Sequence, residues 1–315
     1  MVRGGGSLLA LALAGCTAAP AREAAPVLPT IVSLNPCTDA ILAEVADPEQ
    51  ILAISHYSQD PAASSMDIAT ARQFRATSGA VEEVLALKPD LVVDGTFTAP
   101  ATQAALARLR LKLEQVPIAT TVPDSLAQVR RLAALAGHPH RGEVLIRRIE
   151  AALAATKAPV GAPVPAIVWQ GGGIVAGEGT LITAMLAHTG FTNAAADRGL
   201  SQASHLPLEA MLANPPRVIL AAGNSHGDED RLLSHPALAG LKHTIRAPLA
   251  PSLLWCGGPT IPKTLARLSE VRRGLRQIDG TTPQPPPLKR RGGDEAAHLA
   301  PSSLEEGVGG GGIRQ

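Results

Sequence analysis

Three residues of this chain carry soft donor atoms that can do chemistry: Cys37, His56 and Cys256. Thiolate sulfur and imidazole nitrogen hold zinc, copper and iron, so the three could ligate a metal if the fold brought them to one place. Each also has a plainer reading, a buried inert thiol for either cysteine and a hydrogen-bonded surface imidazole for the histidine, and no metal site is firmly expected. The two thiols can also pair. A bridge would freeze the parts of the chain that carry them, and free thiols are the expectation. The other available chemistry is stacking. The sequence has one Tyr, three Phe and two Trp, and Tyr57, Phe97 and Trp255 all fall in loops after apolar runs, where ring faces can meet a planar or macrocyclic ligand. Asn35 and His205, on comparable loops, complete the candidate ligand-binding set. Covalent catalysis has little to draw on: there is no Gly-x-Ser-x-Gly elbow, no His-Glu-x-x-His helix, no Cys-x-x-Cys pair and no nucleotide fingerprint. Gly257-Gly258 could cradle an anion ahead of a helix, but no Lys-Ser/Thr follows in phosphate-loop register.

The elements that must position these residues are written twice. Glu82-Glu83-Val84-Leu85-Ala86-Leu87-Lys88-Pro89-Asp90-Leu91-Val92-Val93 recurs as Glu209-Ala210-Met211-Leu212-Ala213-Asn214-Pro215-Pro216-Arg217-Val218-Ile219-Leu220, with Glu, Leu, Ala and Pro at the same offsets. Each copy reads as a short helix stopped by proline and followed by a buried strand. The copies lie about one domain length apart. The chain therefore reads as two related α/β lobes with a binding cleft between them.

In the first lobe, strands at Thr30–Leu34, Gln50–Ser55, Leu91–Val93 and Lys112–Val116 alternate with helices at Thr38–Ala46, Glu82–Leu87 and Pro100–Leu109. Such alternation gives parallel sheets with Rossmann-like crossovers, and ligands bind at the carboxyl ends of their strands. The loops to watch are Asn35–Cys37, Ser55–Ser58 and Asp94–Phe97. Two helices follow, Ser125–Ala136 capped by Asp124 and a single long helix from Pro139 to about Thr156, spanning roughly 27 Å. That length bridges two lobes side by side and resists wide hinge motion. The second lobe repeats the scheme with strands at Val164–Trp169, Val218–Ala221 and Thr244–Arg246, helices at Thr180–Thr189, which contains His188, and Leu206–Ala213, and a final helix Ile261–Ile278. Its cleft loops are Gly171–Gly179, Ala222–His226 and Leu254–Pro259. The expected division is 1–15 targeting segment, 16–29 tether, 30–123 first lobe, 124–158 helical connector, 159–279 second lobe and 280–315 disordered tail.

Composition and termini indicate where such a chain would work. Net charge is +1 over 315 residues, with Arg and Lys dispersed among acids, so there is no electrostatic footprint for nucleic acid. Arg3, the apolar run Leu8–Ala12 and Leu13-Ala14-Gly15-Cys16 form a segment too short to span a bilayer. It is similar to the lipobox of bacterial lipoproteins, which implies lipidation of Cys16 and a membrane anchor.

Together, the lipobox-like start, Ile31-Val32-Ser33-Leu34-Asn35-Pro36, the Ser55-His56-Tyr57-Ser58 loop, the Ala86-Leu87-Lys88-Pro89-Asp90 block and its second-lobe echo resemble the metal-chelate class of substrate-binding proteins of ABC importers. The resemblance covers roughly Thr30 to Ile278. It implies a periplasmic, lipid-anchored protein with no intrinsic cofactor that carries cobalamin, haem or a ferric siderophore to a permease dimer with its ATPase. It further implies that Glu82 and Glu209 dock against permease arginines. Against the ring-lined clefts of cobalamin binders this chain keeps Tyr57 but carries no ring near Ala76 and Ala203, which weakens that expectation; only Arg75, Arg246 and Lys263 fall near the rims, too few for an anionic siderophore, and a mostly apolar cleft with Tyr57, Phe97 and Trp255 leans the expectation to a corrinoid or haem-like cargo. The alternative is a periplasmic chelatase-like or thiol-dependent enzyme on the same scaffold.

Overall fold

The computed structural model of the chain describes residue 1 and residues 27–223 and 228–281. The targeting segment, Cys16, most of the tether, the Asn224–His226 loop and nearly all of the tail lie outside them. The chain forms two α/β lobes. The first runs β1 (Ile31–Ser33), α1 (Pro36–Val45), β2 (Ile51–Ser55), α2 (Ile68–Ala71), β3 (Ala76–Thr77), α3 (Val81–Leu87), β4 (Leu91–Gly95), α4 (Pro100–Arg108) and β5 (Leu113–Val116). Its sheet has the order β3-β2-β1-β4-β5 and every pair is parallel. Strand order reverses at β1, which places a topological switch point at the carboxyl ends of β1 and β4.

Two helices then cross to the second lobe, α5 (Val122–Leu135) and α6 (Pro139–Ala155). Thr121, not Asp124, caps α5: its hydroxyl accepts the Asp124 amide while the Asp124 carboxylate accepts the Thr121 amide, a reciprocal capping box that starts the helix ahead of Pro123. The 17 residues of α6 span about 25 Å. Gly142 lets the two helices meet, because a Cβ there would lie 2.6 Å from that of Ala133.

The second lobe runs β6 (Val164–Gln170), β7 (Ile174–Val175), α7 (Leu181–His188), β8 (Phe191–Asn193), β9 (Ser204–His205), α8 (Leu208–Ala213), β10 (Val218–Ala222), β11 (Ile245–Leu249) and α9 (Thr260–Thr281). The final helix therefore takes in the first residues of the expected tail. The sheet order is β11-β10-β6-β7-β9 with β8 also beside β6. Strands β6, β8, β10 and β11 are parallel, and β7 and β9 add antiparallel pairings that the sequence pattern did not show. The run β6-β10-β11 matches β1-β4-β5, and the helix–strand pairs α3–β4 and α8–β10 occupy equivalent places, so the sequence repeat is a structural repeat.

Central strands covered on both faces need apolar side chains on both faces: Ile31, Val32, Val92 and Val93 in one lobe and Ile167, Val168, Ile219 and Leu220 in the other are buried. One apolar cluster runs from the first sheet through Val129, Leu132, Ile146 and Ile149 of the connecting helices to Val168, Leu220 and Leu265 of the second lobe. Ion pairs from α6 to the first lobe, Arg141–Asp47 at 2.7 Å and Arg148–Glu44 at 2.9 Å, lie over this junction.

Candidate ligand-binding cleft

The turn after β1 builds the floor of the cleft. Asn35 is extended and caps α1, its Oδ1 accepting the Cys37 amide at 2.9 Å, with Pro36 in the first helical turn where a missing N–H costs nothing. Cys37 is thereby aimed across the cleft and is bonded to Cys256, with Cα atoms 5.0 Å apart. This corrects the expectation of free thiols: the start of α1 and the loop before α9 face each other across the lobe junction, close enough for a bridge. The same bond removes the sulfurs from any metal site. Among the described residues no group of three His, Cys, Asp or Glu side chains could hold a metal ion.

The loop carrying Cys256 is held at other points too. The Gly258 amide donates to Ser125 Oγ at 2.7 Å. A Cβ on Gly257 would collide with that hydroxyl, and one on Gly258, at φ +59°, would lie 2.7 Å from Ile41 Cγ1. These contacts fix the backbone beside Trp255, which is 55% exposed.

Two cavities meet beneath Trp255. One of about 170 Å³ lies over the carboxyl ends of β1, β4 and β5, with Asn35, Cys37, Phe97 and Gln128 in its wall. The other, of about 160 Å³, lies over the end of β6, with Gln170, Ile174, Thr180 and Leu254. They share Ile118, Ala119, Gln202 and Trp255. Together they reach the lower end of small-molecule sites, roughly 300 Å³. Among the described residues, no Asp, Glu, Lys, Arg or His is in either wall.

Of the expected ligand-binding residues, Asn35, Cys37, Phe97 and Trp255 come together at the first cavity, with Cys256 buried next to Trp255. His56 and Tyr57 lie one strand over, on the exposed 3₁₀ turn at the carboxyl end of β2, outside both cavity walls. His56 Nδ1 donates to the Thr77 carbonyl at 3.2 Å. The His56 and Tyr57 ring centroids are 4.0 Å apart. His205 pairs with Ile174 across β7 and β9 and backs the second cavity without entering its wall. His188 Nε2 donates to the Leu153 carbonyl of α6 at 2.8 Å, away from the cavity walls. Neither Arg75, Arg246 nor Lys263 lines the cavities: Arg246 donates to the Leu233 carbonyl, and Lys263 borders a separate groove with Met66 and Asp67. Glu82 and Glu209 are exposed, each the second residue of its helix. The neighbouring Glu83 instead accepts from Thr77 Oγ1 at 2.7 Å and the Ser78 amide at 2.9 Å, and those bonds hold its carboxyl below the usual range. The sequence reading missed Gln128, Gln170, Gln202 and the Val116–Ala119 segment. The carboxyl-end rule, extended to β5 and β6, would have found Gln170 and that segment.

Two lobes of matched α/β topology, joined by helices and enclosing cavities at their strand ends, define a two-lobed binding protein. The sequence model of the family described as periplasmic binding protein matches residues 31–246, and the chain belongs to that family. Similar solved structures include the periplasmic heme-binding protein RhuT from Roseiflexus sp. RS-1, at 24% identity over 79% of this chain and 98% of that one with a TM-score of 0.62. A periplasmic heme-binding protein from Pseudomonas aeruginosa has 24% identity over 78% of this chain and 92% of its own, with a TM-score of 0.58. The periplasmic vitamin B12 binding protein BtuF of Vibrio cholerae has 18% identity over 80% and 98%, with a TM-score of 0.57. At these identities the likeness is one of fold. No curated protein matches the chain.

Proposed function

We propose that this protein is the substrate-binding component of an ABC importer and captures a metal chelate in the interlobe cleft. The observation that carries the reading is the pair of abutting cavities under Trp255, lined among the described residues by apolar groups and side-chain amides and by no charge. The cargoes named for the similar structures, heme and vitamin B12, support the chelate class. Within that class the lining favours a corrinoid. Its carboxamide arms match the amides of Asn35, Gln128, Gln170 and Gln202, each of which offers both donor and acceptor. Haem propionates or an anionic siderophore would meet cavity walls in which no described residue is a cation, and burying an unpaired carboxylate is costly. Among the described residues the cavity walls also offer no imidazole, phenol, thioether or thiolate to an open metal position, which suits a chelate that brings its own axial ligands.

Titration with cyanocobalamin, haemin and a panel of ferric siderophores, read by tryptophan fluorescence, tests this. Trp255 faces the cleft while Trp169 is sealed in the second-lobe core, so cargo should quench one indole strongly and Trp255→Phe should remove most of the response. Quenching by haemin alone would redirect the cargo, and quenching by none of the three classes would sink the reading.

The same reading has Cys16 lipidated, the protein anchored on the periplasmic side of a membrane, and Glu82 and Glu209 facing permease arginines. Support for docking comes from their equivalent positions on matched lobes. In a strand–helix–strand crossover the helix N-terminus lies on the side of the strands' carboxyl ends, so both carboxylates belong to the cleft side. Reversing both, with Glu82→Arg and Glu209→Arg, should abolish uptake and leave chelate affinity within about twofold; a large affinity loss would refute docking. A thiol-dependent enzyme finds no support, because Cys37 and Cys256 are bonded to each other, and the family is one of binding proteins.

A further inference from the structure

One carboxyl lies under the exposed ring pair at the end of β2. Asp39, in the first turn of α1, is fully buried. Its Oδ2 accepts the Ser58 hydroxyl at 2.6 Å and the Ser55 amide at 3.0 Å. Ser55 Oγ in turn accepts the Tyr57 amide at 3.3 Å. The residues on either side of His56-Tyr57 are thus tied to the same oxygen. The turn itself is four residues long, and of these only Ser58 is buried. Tyr57 is 53% exposed, so packing does little to hold it and the bonds beneath must set its shape. The Ser33 hydroxyl on β1 also bears on the carboxyl and pulls it down, although no group lies within hydrogen-bonding distance of Oδ1. A buried oxygen left unpaired costs stability, and an apolar residue on this face of α1 would avoid the cost, so the carboxyl's return lies in the geometry it imposes above it.

We propose that Asp39 is a positioning residue for cargo binding, holding the His56–Tyr57 pair through Ser55 and Ser58 on the rim where the cleft opens. This rests on the reading that the cleft takes a chelate. The rim placement follows from the sheet: β2 lies beside β1 with the same direction, so its carboxyl end opens on the same edge as Asn35 and the first cavity. A cargo larger than the two cavities extends over that edge. Burial keeps the carboxyl neutral at neutral pH, with its value pushed up to about 8 and Asp94 adding to the push. A neutral amide should therefore replace it in this role, whereas a methyl should not.

Tyr57 is the single tyrosine of the chain, so biosynthetic 3-fluorotyrosine gives one fluorine resonance from this turn in the full-length protein. In Asp39→Ala that resonance should move toward the value of the unfolded chain, and cyanocobalamin and haemin affinities should fall at least tenfold for whichever the wild type binds. Asp39→Asn should keep the resonance and hold affinity within about threefold. A folded Asp39→Ala variant with unchanged resonance and affinity overturns the proposal. If Asp39→Ala does not fold, Ser58→Ala, which removes one hydroxyl, decides by the same two readouts. Should the wild type bind neither chelate nor any ferric siderophore of the panel, the cargo reading fails by itself, and the fluorine resonance alone upholds or overturns Asp39 as the residue that positions the turn.

Discussion

Replacing Asp39 by Asn should change how stability depends on pH, with a sign opposite to that of most carboxylates. Burial raises the carboxyl from 3.8 to about 8, against the hydrogen bonds of Ser33, Ser58 and Ser55, which pull it down. Between those values the folded protein keeps a proton that the unfolded chain has released. The folded state then binds more protons than the unfolded state, so stability falls as pH rises through this window, by about 1.4 kcal/mol per pH unit for one proton. The loss is absent below the unfolded value and complete above the folded one, amounting to at most about 6 kcal/mol. Asn does not titrate. Urea unfolding at pH 5, 6, 7 and 8, followed by the buried Trp169, gives the stability of both forms, and every other titrating group is common to the two. The stability of Asp39→Asn relative to wild type should climb by about 1.4 kcal/mol per pH unit between pH 5 and pH 7 and level off above pH 8. A difference that stays flat across this range would show that the buried carboxyl is not held neutral and would refute the reasoning. Asp47, Asp90 and Asp124 behave in the usual direction: bonds from Arg141, Thr30 and Thr121 respectively hold them below their ordinary values, so their contribution is present near neutrality and is lost on acidification in both forms.

Three further outcomes follow from the cleft and its supports. Cys37→Ser with Cys256→Ser should lower stability by up to about 5 kcal/mol, since the bridge closes a loop with a sequence separation of 219; thiol titration of the denatured, unreduced chain should detect neither cysteine. Trp255→Ala should weaken chelate binding by roughly 10- to 100-fold, the equivalent of removing one buried apolar side chain at about 1.5–3 kcal/mol, and leave the unfolding midpoint nearly unchanged because the indole is exposed without cargo. Gly257→Ala should destabilise by about 1–3 kcal/mol, because the added methyl meets Ser125 Oγ and Cβ between two pinned backbones; an unfolding midpoint equal to wild type would show that the loop can move aside.

What was legible in the sequence is what repeats or alternates. Two copies of a proline-stopped helix and an apolar strand predicted α3–β4 and α8–β10, and buried runs such as Ile31–Ser33 and Val218–Ala222 located the central strands within a residue or two. The short strands were not legible. Ala76–Thr77, Ile174–Val175 and Ser204–His205 are two residues each, too few to show a period, and they are strands only because a neighbouring strand accepts them. The candidate site divides the same way. Rings in loops pointed to Phe97 and Trp255, but amides carry no motif, so Gln128, Gln170 and Gln202 went unseen. Asp39 reads in sequence as an ordinary acid near a helix start; it is buried because the β2 turn folds over it, a fact that depends on the sheet order. The pairing of Cys37 with Cys256 depends on the same kind of fact, since chain distance says nothing of which loops a two-lobed fold sets face to face.

That pairing bears on how the cleft can capture anything. The lobes share one apolar cluster, α6 is ion-paired to the first lobe at two points, and the loop beside Trp255 is bonded to α1, hydrogen-bonded to α5 and packed on Ile41. A wide hinge opening would have to break all of these at once. The cleft is therefore largely formed before cargo arrives, and the freedom left to it lies in exposed side chains: Phe97, Trp255 and the Tyr57 turn. Binding to a preformed cleft costs little ordering, and discrimination then falls to shape and hydrogen bonding at fixed positions. In such a cleft a cargo with the wrong charge cannot be met by rearrangement, which is why the absence of a charged side chain among the described residues of both cavity walls weighs more heavily for its identity than the count of rings around it.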